Sequence, residues 1–266
     1  MLDVNGTDLF CERRGAGEPL LMIQGMAGHS LHWGEPFLCA LEGDFELILY
    51  DHRGLGRSAP SDDPFTIADL AGDAAALLDA LGIDSAHVLG ISMGGMVAQE
   101  LVLTAPERVR TLTLGATYAG GPDARFTDEA VVNELAGAIL SGDPDRKVRT
   151  GWGFNVSPDF AGADGNFEQF SQIAALYPVE LPMIFNQLQA IMSHDTSARL
   201  ADVGVPALVV HGTADQMLAA ANGEMVAALI PGARLELLDG VGHLFFWEQP
   251  ERVAQLICEH VAAARA

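Results

Sequence analysis

Six short apolar runs recur along the chain: LLMIQ (20–24), FELILY (45–50), AHVLGI (86–91), VRTLTLG (109–115), PALVVHG (206–212) and ARLELLDG (233–240). Each is flanked by Gly, Asp or Pro and is too short for a core helix, so the pattern predicts buried strands. Between the runs, apolar residues fall at helical spacing in TIADLAGDAAALLDALG, where Thr66 is placed to cap, and in GGMVAQELVLTAPERV, GEMVAALIPG and PERVAQLICEHVAAARA, the last opening with Pro250 in its first turn. Strand and helix in alternation predict an α/β fold: a mostly parallel sheet flanked by helices on both faces. Near the start, DVNGTDLFCER sets an Asn-Gly turn between two β-prone runs and predicts an antiparallel hairpin at the sheet edge. The chain shows no internal repeat or low-complexity tract.

One region breaks the alternation. From 117 to 199 no run reads as a strand; DEAVVNELAGAILSG, DRKVRTGWGF, NFEQFSQIAALYP and PMIFNQLQAIMSH read as short helices punctuated by Gly and Pro. The expected organisation is a core of 1–116 and 200–266 with a helical lid, or cap, of 117–199 between two strands. Its aromatic and methionine residues Trp152, Phe154, Phe167, Phe170, Phe185, Met183 and Met192 serve either as packing or as pocket walls.

With 266 residues, 49% hydrophobic and 19% charged, the chain is long enough for one α/β domain plus such an insertion. The formal charge of −22 repels phosphate backbones and anionic lipid, which excludes nucleic acid as a partner. No apolar stretch approaches the ~20 residues of a membrane span, and MLDVNGTDLFCERR lacks the order of a signal peptide, so no membrane association and a cytoplasmic location are expected. Cys11, Cys39 and Cys258 are an odd set without CxxC spacing and read as three reduced packing thiols; no metal site is expected.

Ser92 stands in Gly90-Ile91-Ser92-Met93-Gly94-Gly95, where a predicted strand gives way to a helix within two residues. Such a turn is strained, at a cost of about 1–3 kcal/mol, and its flanking positions need residues without side chains. A glycine-flanked serine also occurs in a plain strand-to-helix turn. A serine hydroxyl is a weak nucleophile that needs a base, and the base needs an orienting carboxylate. Asp215 in HGTADQM follows one predicted strand and His243 in LDGVGHLFFWEQPE follows the last, so both emerge at the same carboxyl edge as Ser92. Asp239 competes as the acid but lies on the same connection as His243, which favours Asp215. Among the other histidines, His87 and His211 read as packed, His29 and His32 as candidate pocket lining, His52 as a surface-like turn, His194 as part of the lid and His260 as part of the last helix.

In QGMAG (24–28), DHRGLGRS (51–58), GISMGG (90–95), HGTADQ (211–216) and GHLFFWEQPERV (242–253), in this order, the chain resembles the α/β-hydrolase superfamily, serine-nucleophile branch, over its whole length. The resemblance implies a catalytic triad of Ser92, Asp215 and His243, with the Met26 and Met93 backbone N–H groups forming an oxyanion hole and Gly25 letting its loop approach closely. Members usually carry His-Gly where Gln24-Gly25 stands, which is expected to change loop support or polarity more than the hole, and tend to carry a proline where Ala219 stands. Within the branch the chain is similar to 3-oxoadipate enol-lactonases and carboxylesterases. The expected function is hydrolysis of a small ester or lactone through an acyl-enzyme on Ser92, with no cofactor. Gly25, His29, Trp152, Phe154, Met183 and Leu244 are the expected pocket residues. Carbon–carbon bond hydrolases and cofactor-free perhydrolases or haloperoxidases share the triad, and a non-catalytic ligand receptor on the same fold is the alternative outside enzymes. Arg125, Arg146, Lys147, Arg149 and Arg199 are the only basic residues of the lid, and clustering of three at 146–149 reads as a solvated face, which favours an uncharged ester.

Overall fold

In a computed structural model describing residues 1–61, 63–163 and 165–265, the apolar runs lie side by side in one sheet. The strands are β1 (Leu2–Val4), β2 (Thr7–Leu9), β3 (Cys11–Gly15), β4 (Glu18–Ile23), β5 (Phe45–Tyr50), β6 (Ala86–Ile91), β7 (Val109–Gly115), β8 (Ala207–Gly212) and β9 (Arg234–Leu238). Among the described residues the main sheet has the order β3-β5-β4-β6-β7-β8-β9, and only the β3–β5 pair is antiparallel. The carboxyl ends of β4, β6, β8 and β9 therefore share one edge, where loops of an open parallel sheet form ligand sites.

Helices α1 (Glu35–Leu41), α2 (Ile67–Ala80) and α3 (Met93–Thr104) precede β7; α4 (Glu129–Leu140), α5 (Pro144–Asn155), α6 (Pro158–Ala161), α7 (Asn166–Leu176) and α8 (Leu181–Met192) lie between β7 and β8; α9 (Ala221–Leu229), α10 (Phe245–Glu248) and α11 (Pro250–Ala264) follow. Strand side chains alternate between two cores. Leu21, Ile23, Val88 and Leu114 meet α2, α3 and α9 residues such as Leu70, Val97 and Val226, while Leu20, Met22, Leu89 and Val210 meet Phe37 of α1 and Val253 and Ile257 of α11. Each such Leu or Ile contributes about 1.5–3 kcal/mol on burial, so both faces of the sheet need their helices.

The caps follow the sequence. Thr66 and Asp69 form a reciprocal capping box at α2, with Thr66 N donating to Asp69 Oδ2 at 2.8 Å and Asp69 N to Thr66 Oγ1 at 3.1 Å. Helix α3 stops at Thr104, short of Val109 where the apolar pattern ends, because Pro106 cannot continue it. The amino-terminal expectation is corrected in part. Asn5 and Gly6 do form the turn, both at positive φ, but β1 and β2 pair as a separate ribbon against α2; the edge of the main sheet is the polar strand β3.

Candidate active site

Ser92 follows β6 and starts α3 with φ 55° and ψ −122°, a backbone that a residue with a side chain adopts only under strain. The flanking glycines are required by close approach. A Cβ on Gly90 would lie 2.2 Å from Gly94 O, and one on Gly94 2.1 Å from Ile23 O at the end of β4. Ser92 N donates to Gly115 O at 2.9 Å, and Thr117 Oγ1 donates to Ser92 O at 2.8 Å, tying the turn to the end of β7.

The loop after β4 abuts this turn: a Cβ on Gly25 would sit 3.0 Å from Ser92 Cβ. Gln24 supports the loop from inside. It is buried, its Oε1 accepts from Gly25 N at 2.9 Å, and its carbonyl accepts from His52 Nε2 at 3.0 Å. The Gly28 amide donates to Gly25 O at 3.1 Å. Ala27, at φ 59°, donates its N–H to Oε1 of Gln187 at 2.9 Å; Gln187 is fully buried on α8 and reaches the loop from the 117–199 segment. His52 is thus not in a surface turn: it is buried beneath this loop, and burial pushes its pKa down.

Asp215 lies after β8 and His243 after β9, and the structure brings them together. His243 Nδ1 donates to Asp215 Oδ2 at 2.7 Å. Asp215 Oδ1 accepts from the amides of Met217 at 2.8 Å and Leu218 at 2.9 Å. His211, at the end of β8, places Nε2 3.1 Å from the same Oδ2. Burial alone would raise the Asp215 carboxyl; the charge of His243 and the hydrogen bonds of His211 and His243 outweigh it and hold the group well below the usual carboxylate range. Asp239 is exposed and accepts from Thr213 Oγ1 at 3.2 Å. Gly242 and Leu244, on either side of His243, are both anchored to the end of α5. Glu248 Oε1 accepts from Gly242 N and Ser157 N, each at 2.8 Å, and Leu244 N donates to Asn155 O at 2.7 Å.

Around the loop after β4, His29 is buried beside His32 and Tyr177, with ring centroids 4.0 and 5.4 Å away. Burial pushes His29 down and His32 down to about 3, the neighbouring His29 adding to the second shift, so both rings are neutral at pH 7. Trp152 is buried in an aromatic cluster with Phe170 at 4.9 Å and Trp247 at 5.8 Å, and Met183 packs on Gly54. Phe154, two residues along α5 and so on another face, lines an open groove with Glu134, Arg146 and Arg149. Phe185 and Met192 are exposed on α8, at 57% and 68%, and are not inner walls. Arg199 is paired with Glu100 and Lys147 donates to Val179 O, while Arg149 lies over the Phe167 ring. Among the thiols, Cys39 is exposed and not packed; Cys11 and Cys258 are half-buried, and burial pushes each up to about 11, away from thiolate chemistry. Among the described residues no cluster of His, Cys, Asp and Glu is arranged to hold a metal, and no helix is long and apolar enough to cross a membrane.

Sequence reasoning missed Gln187, Glu248 and the contact of His211 with Asp215. Only His211 carried a signal, since its place four residues before Asp215 at a strand end brings the two side chains to one edge.

A family model described as alpha/beta hydrolase fold matches residues 18–250, and the chain belongs to that family; it is an enzyme of the α/β-hydrolase superfamily. It is 33% identical over 246 residues to "Putative carbamate hydrolase RutD" of Azorhizobium caulinodans, covering 92% of this chain and 91% of that protein. It is 30% identical over 244 residues to "3-oxoadipate enol-lactonase 1" of Acinetobacter baylyi, covering 90% and 86%. The crystal structure of the enol-lactonase from Burkholderia xenovorans LB400 superposes with a TM-score of 0.85 at 25% identity, covering 97% of this chain and 98% of that one.

Proposed function

We propose that this enzyme hydrolyses a small, uncharged carboxylic ester or lactone through an acyl-enzyme on Ser92. The observation that carries the reading is the 2.7 Å bond from His243 Nδ1 to Asp215, at the same sheet edge as the strained Ser92 turn. With Nδ1–H committed to the carboxylate, Nε2 is the unprotonated nitrogen and serves as base. Ser92 Oγ attacks the carbonyl carbon while its proton passes to His243 Nε2. The tetrahedral oxyanion is held by the amides of Met26 and Met93; the first lies between the engaged amides of Gly25 and Ala27, the second at the start of α3. Collapse breaks the bond to the leaving oxygen, which takes the proton from His243. Water then attacks the acyl-enzyme with His243 again as base, releasing the acid and restoring Ser92.

The reading that 117–199 acts as a lid choosing the acyl group is supported by Gln187, which carries a hydrogen bond from α8 to the loop after β4. An uncharged substrate is favoured because Arg199 and Lys147 are already engaged within the protein. The named carbamate hydrolase among the relatives favours a carbamate as a second acyl class for the same machinery. The test is kcat/KM for p-nitrophenyl esters from acetyl to dodecanoyl, an aryl carbamate and an enol-lactone acid. Short neutral esters are expected to lead; a rate rising with chain length, or preference for the anionic lactone, contradicts the reading.

A further inference from the structure

The Asp215 carboxylate has a second histidine that the proposed chemistry does not use. His211 Nε2 lies 2.8 Å from Leu218 O as well as 3.1 Å from Asp215 Oδ2. A carbonyl oxygen only accepts, so Nε2 carries the hydrogen and shares it between the two oxygens. His211 Nδ1 is buried and has no hydrogen-bond partner among the described residues, so the hydrogen bonds of this ring run through Nε2 alone. Gly223 of α9 packs against that nitrogen: a Cβ on it would lie 2.6 Å from Nδ1. His211 is therefore held in place with its Nε2–H as the donor.

We propose that His211 is a positioning residue for the Asp215–His243 pair: its Nε2–H fixes the carboxylate and shares the oxygen that orients His243. The inference rests on the reading of His243 as the base. Oδ1 is taken by two amides and Oδ2 by two histidine donors, so the carboxylate cannot rotate without losing bonds on both oxygens. The shared Oδ2 also sets how strongly Asp215 stabilises His243 in its protonated form, because each donor to a carboxylate oxygen draws charge from the other. The other charged groups on the elements around the pair are the exposed Glu224 of α9, Arg234 and Glu236 of β9, which bond to each other, Glu248 of α10, occupied by Gly242 and Ser157, and the exposed Asp239 on the loop after β9. No hydrogen bond links any of them to Asp215 among the described residues.

The test compares His211→Leu, which removes the donor, with His211→Gln, whose Nε2–H reaches the same place. In His211→Leu the acid limb of kcat/KM for p-nitrophenyl acetate is expected to move up by about 0.5–1 pH unit, since the freed Oδ2 stabilises protonated His243 more strongly. The His243 Nδ1 proton resonance is expected to move downfield in the same variant. In His211→Gln both stay near wild type. A folded His211→Leu with an unchanged limb and resonance, or a His211→Gln that behaves like it, overturns the proposal; a purely structural role would lower rates without moving either. If the leucine variant does not fold, ¹⁵N spectra of the wild-type protein at pH 7.5 decide, with protonated Nε2 and bare Nδ1 on His211 expected and the opposite tautomer overturning it. The spectroscopic arms need no substrate, so they judge His211 even where Ser92→Ala retains esterase activity and the hydrolytic reading falls.

Discussion

Replacing Asp215 by Asn preserves shape and removes one acceptor. The carboxylate now takes four donors: the Met217 and Leu218 amides on Oδ1, and the His243 and His211 ring N–H groups on Oδ2. A carboxamide offers one oxygen and one NH₂. If its oxygen keeps the two amides, its NH₂ faces His243, which can bond to it only through an unprotonated Nδ1. The proton then sits on Nε2, and under the proposed mechanism the imidazole can no longer take the proton of Ser92. The opposite rotamer leaves the two amides against an NH₂, at about 1–3 kcal/mol for each orphaned donor, so the first arrangement prevails. Loss of tautomer control in such a site costs about 10⁴-fold in kcat, or about 5.4 kcal/mol at 1.36 kcal/mol per decade. Asp239→Asn, at an exposed position whose side chain accepts from Thr213, is expected to change kcat less than about twofold. Steady-state hydrolysis of p-nitrophenyl butyrate, with circular dichroism to confirm folding, measures both. The pH dependence of stability follows the same carboxylate. Because Asp215 is held below its usual range, its stabilisation is present above the unfolded-chain value near 3.9 and lost as pH falls below it. The Tm gap between wild type and Asp215→Asn is therefore full at pH 7 and closes below about pH 4. A kcat within tenfold of wild type, or a larger loss in Asp239→Asn, refutes the reasoning.

Three further substitutions probe the supports. Gly94→Ala puts a methyl group 2.1 Å from Ile23 O, so α3 must part from β4; a loss of about 3 kcal/mol or more in urea melts is expected, against about 0.5 kcal/mol for Gly43→Ala, whose Cβ meets nothing within 4 Å. Glu248→Ala strips the acceptor from Gly242 N and Ser157 N, two orphaned donors at about 1–3 kcal/mol each, and is expected to lower Tm by roughly 5–10 °C and kcat more than KM. Gln187→Leu leaves the Ala27 amide without its partner, and a fall in kcat/KM of about tenfold is expected in the same ester assay, with no change marking α8 as irrelevant to the loop.

What the sequence could and could not say follows from the range of each signal. Strands β5 and β6 were legible residue for residue because a strand covered on both faces reads as a nearly continuous apolar run, interrupted here by Glu46 and His87. Strand β3, Cys-Glu-Arg-Arg-Gly, lies at the edge with alternating exposure, and its polar composition hides it. Helix α1 is seven residues long and too short for a helical period to stand out. The Ser92 turn was legible because close packing against Ile23 and within Gly90–Gly94 writes itself as glycine. Gln187 acts on Ala27, 160 residues away, and Glu248 ties Ser157, 91 residues away, to nearby Gly242; nothing in local composition marks the distant contacts. His52 was misread because a polar residue in a Gly-rich loop resembles a surface turn, whereas the Gln24 carbonyl gives it a buried partner.

The central claim is that Ser92 is the nucleophile, and covalent labelling tests it most directly. A fluorophosphonate reacts with a serine only where a base takes the proton and amides receive the oxyanion. Intact-mass and peptide spectra of the treated protein are expected to show one adduct, on Ser92, absent from Ser92→Ala and strongly slowed in Asp215→Asn. An adduct on another residue, or labelling that persists in a folded Ser92→Ala, contradicts the account.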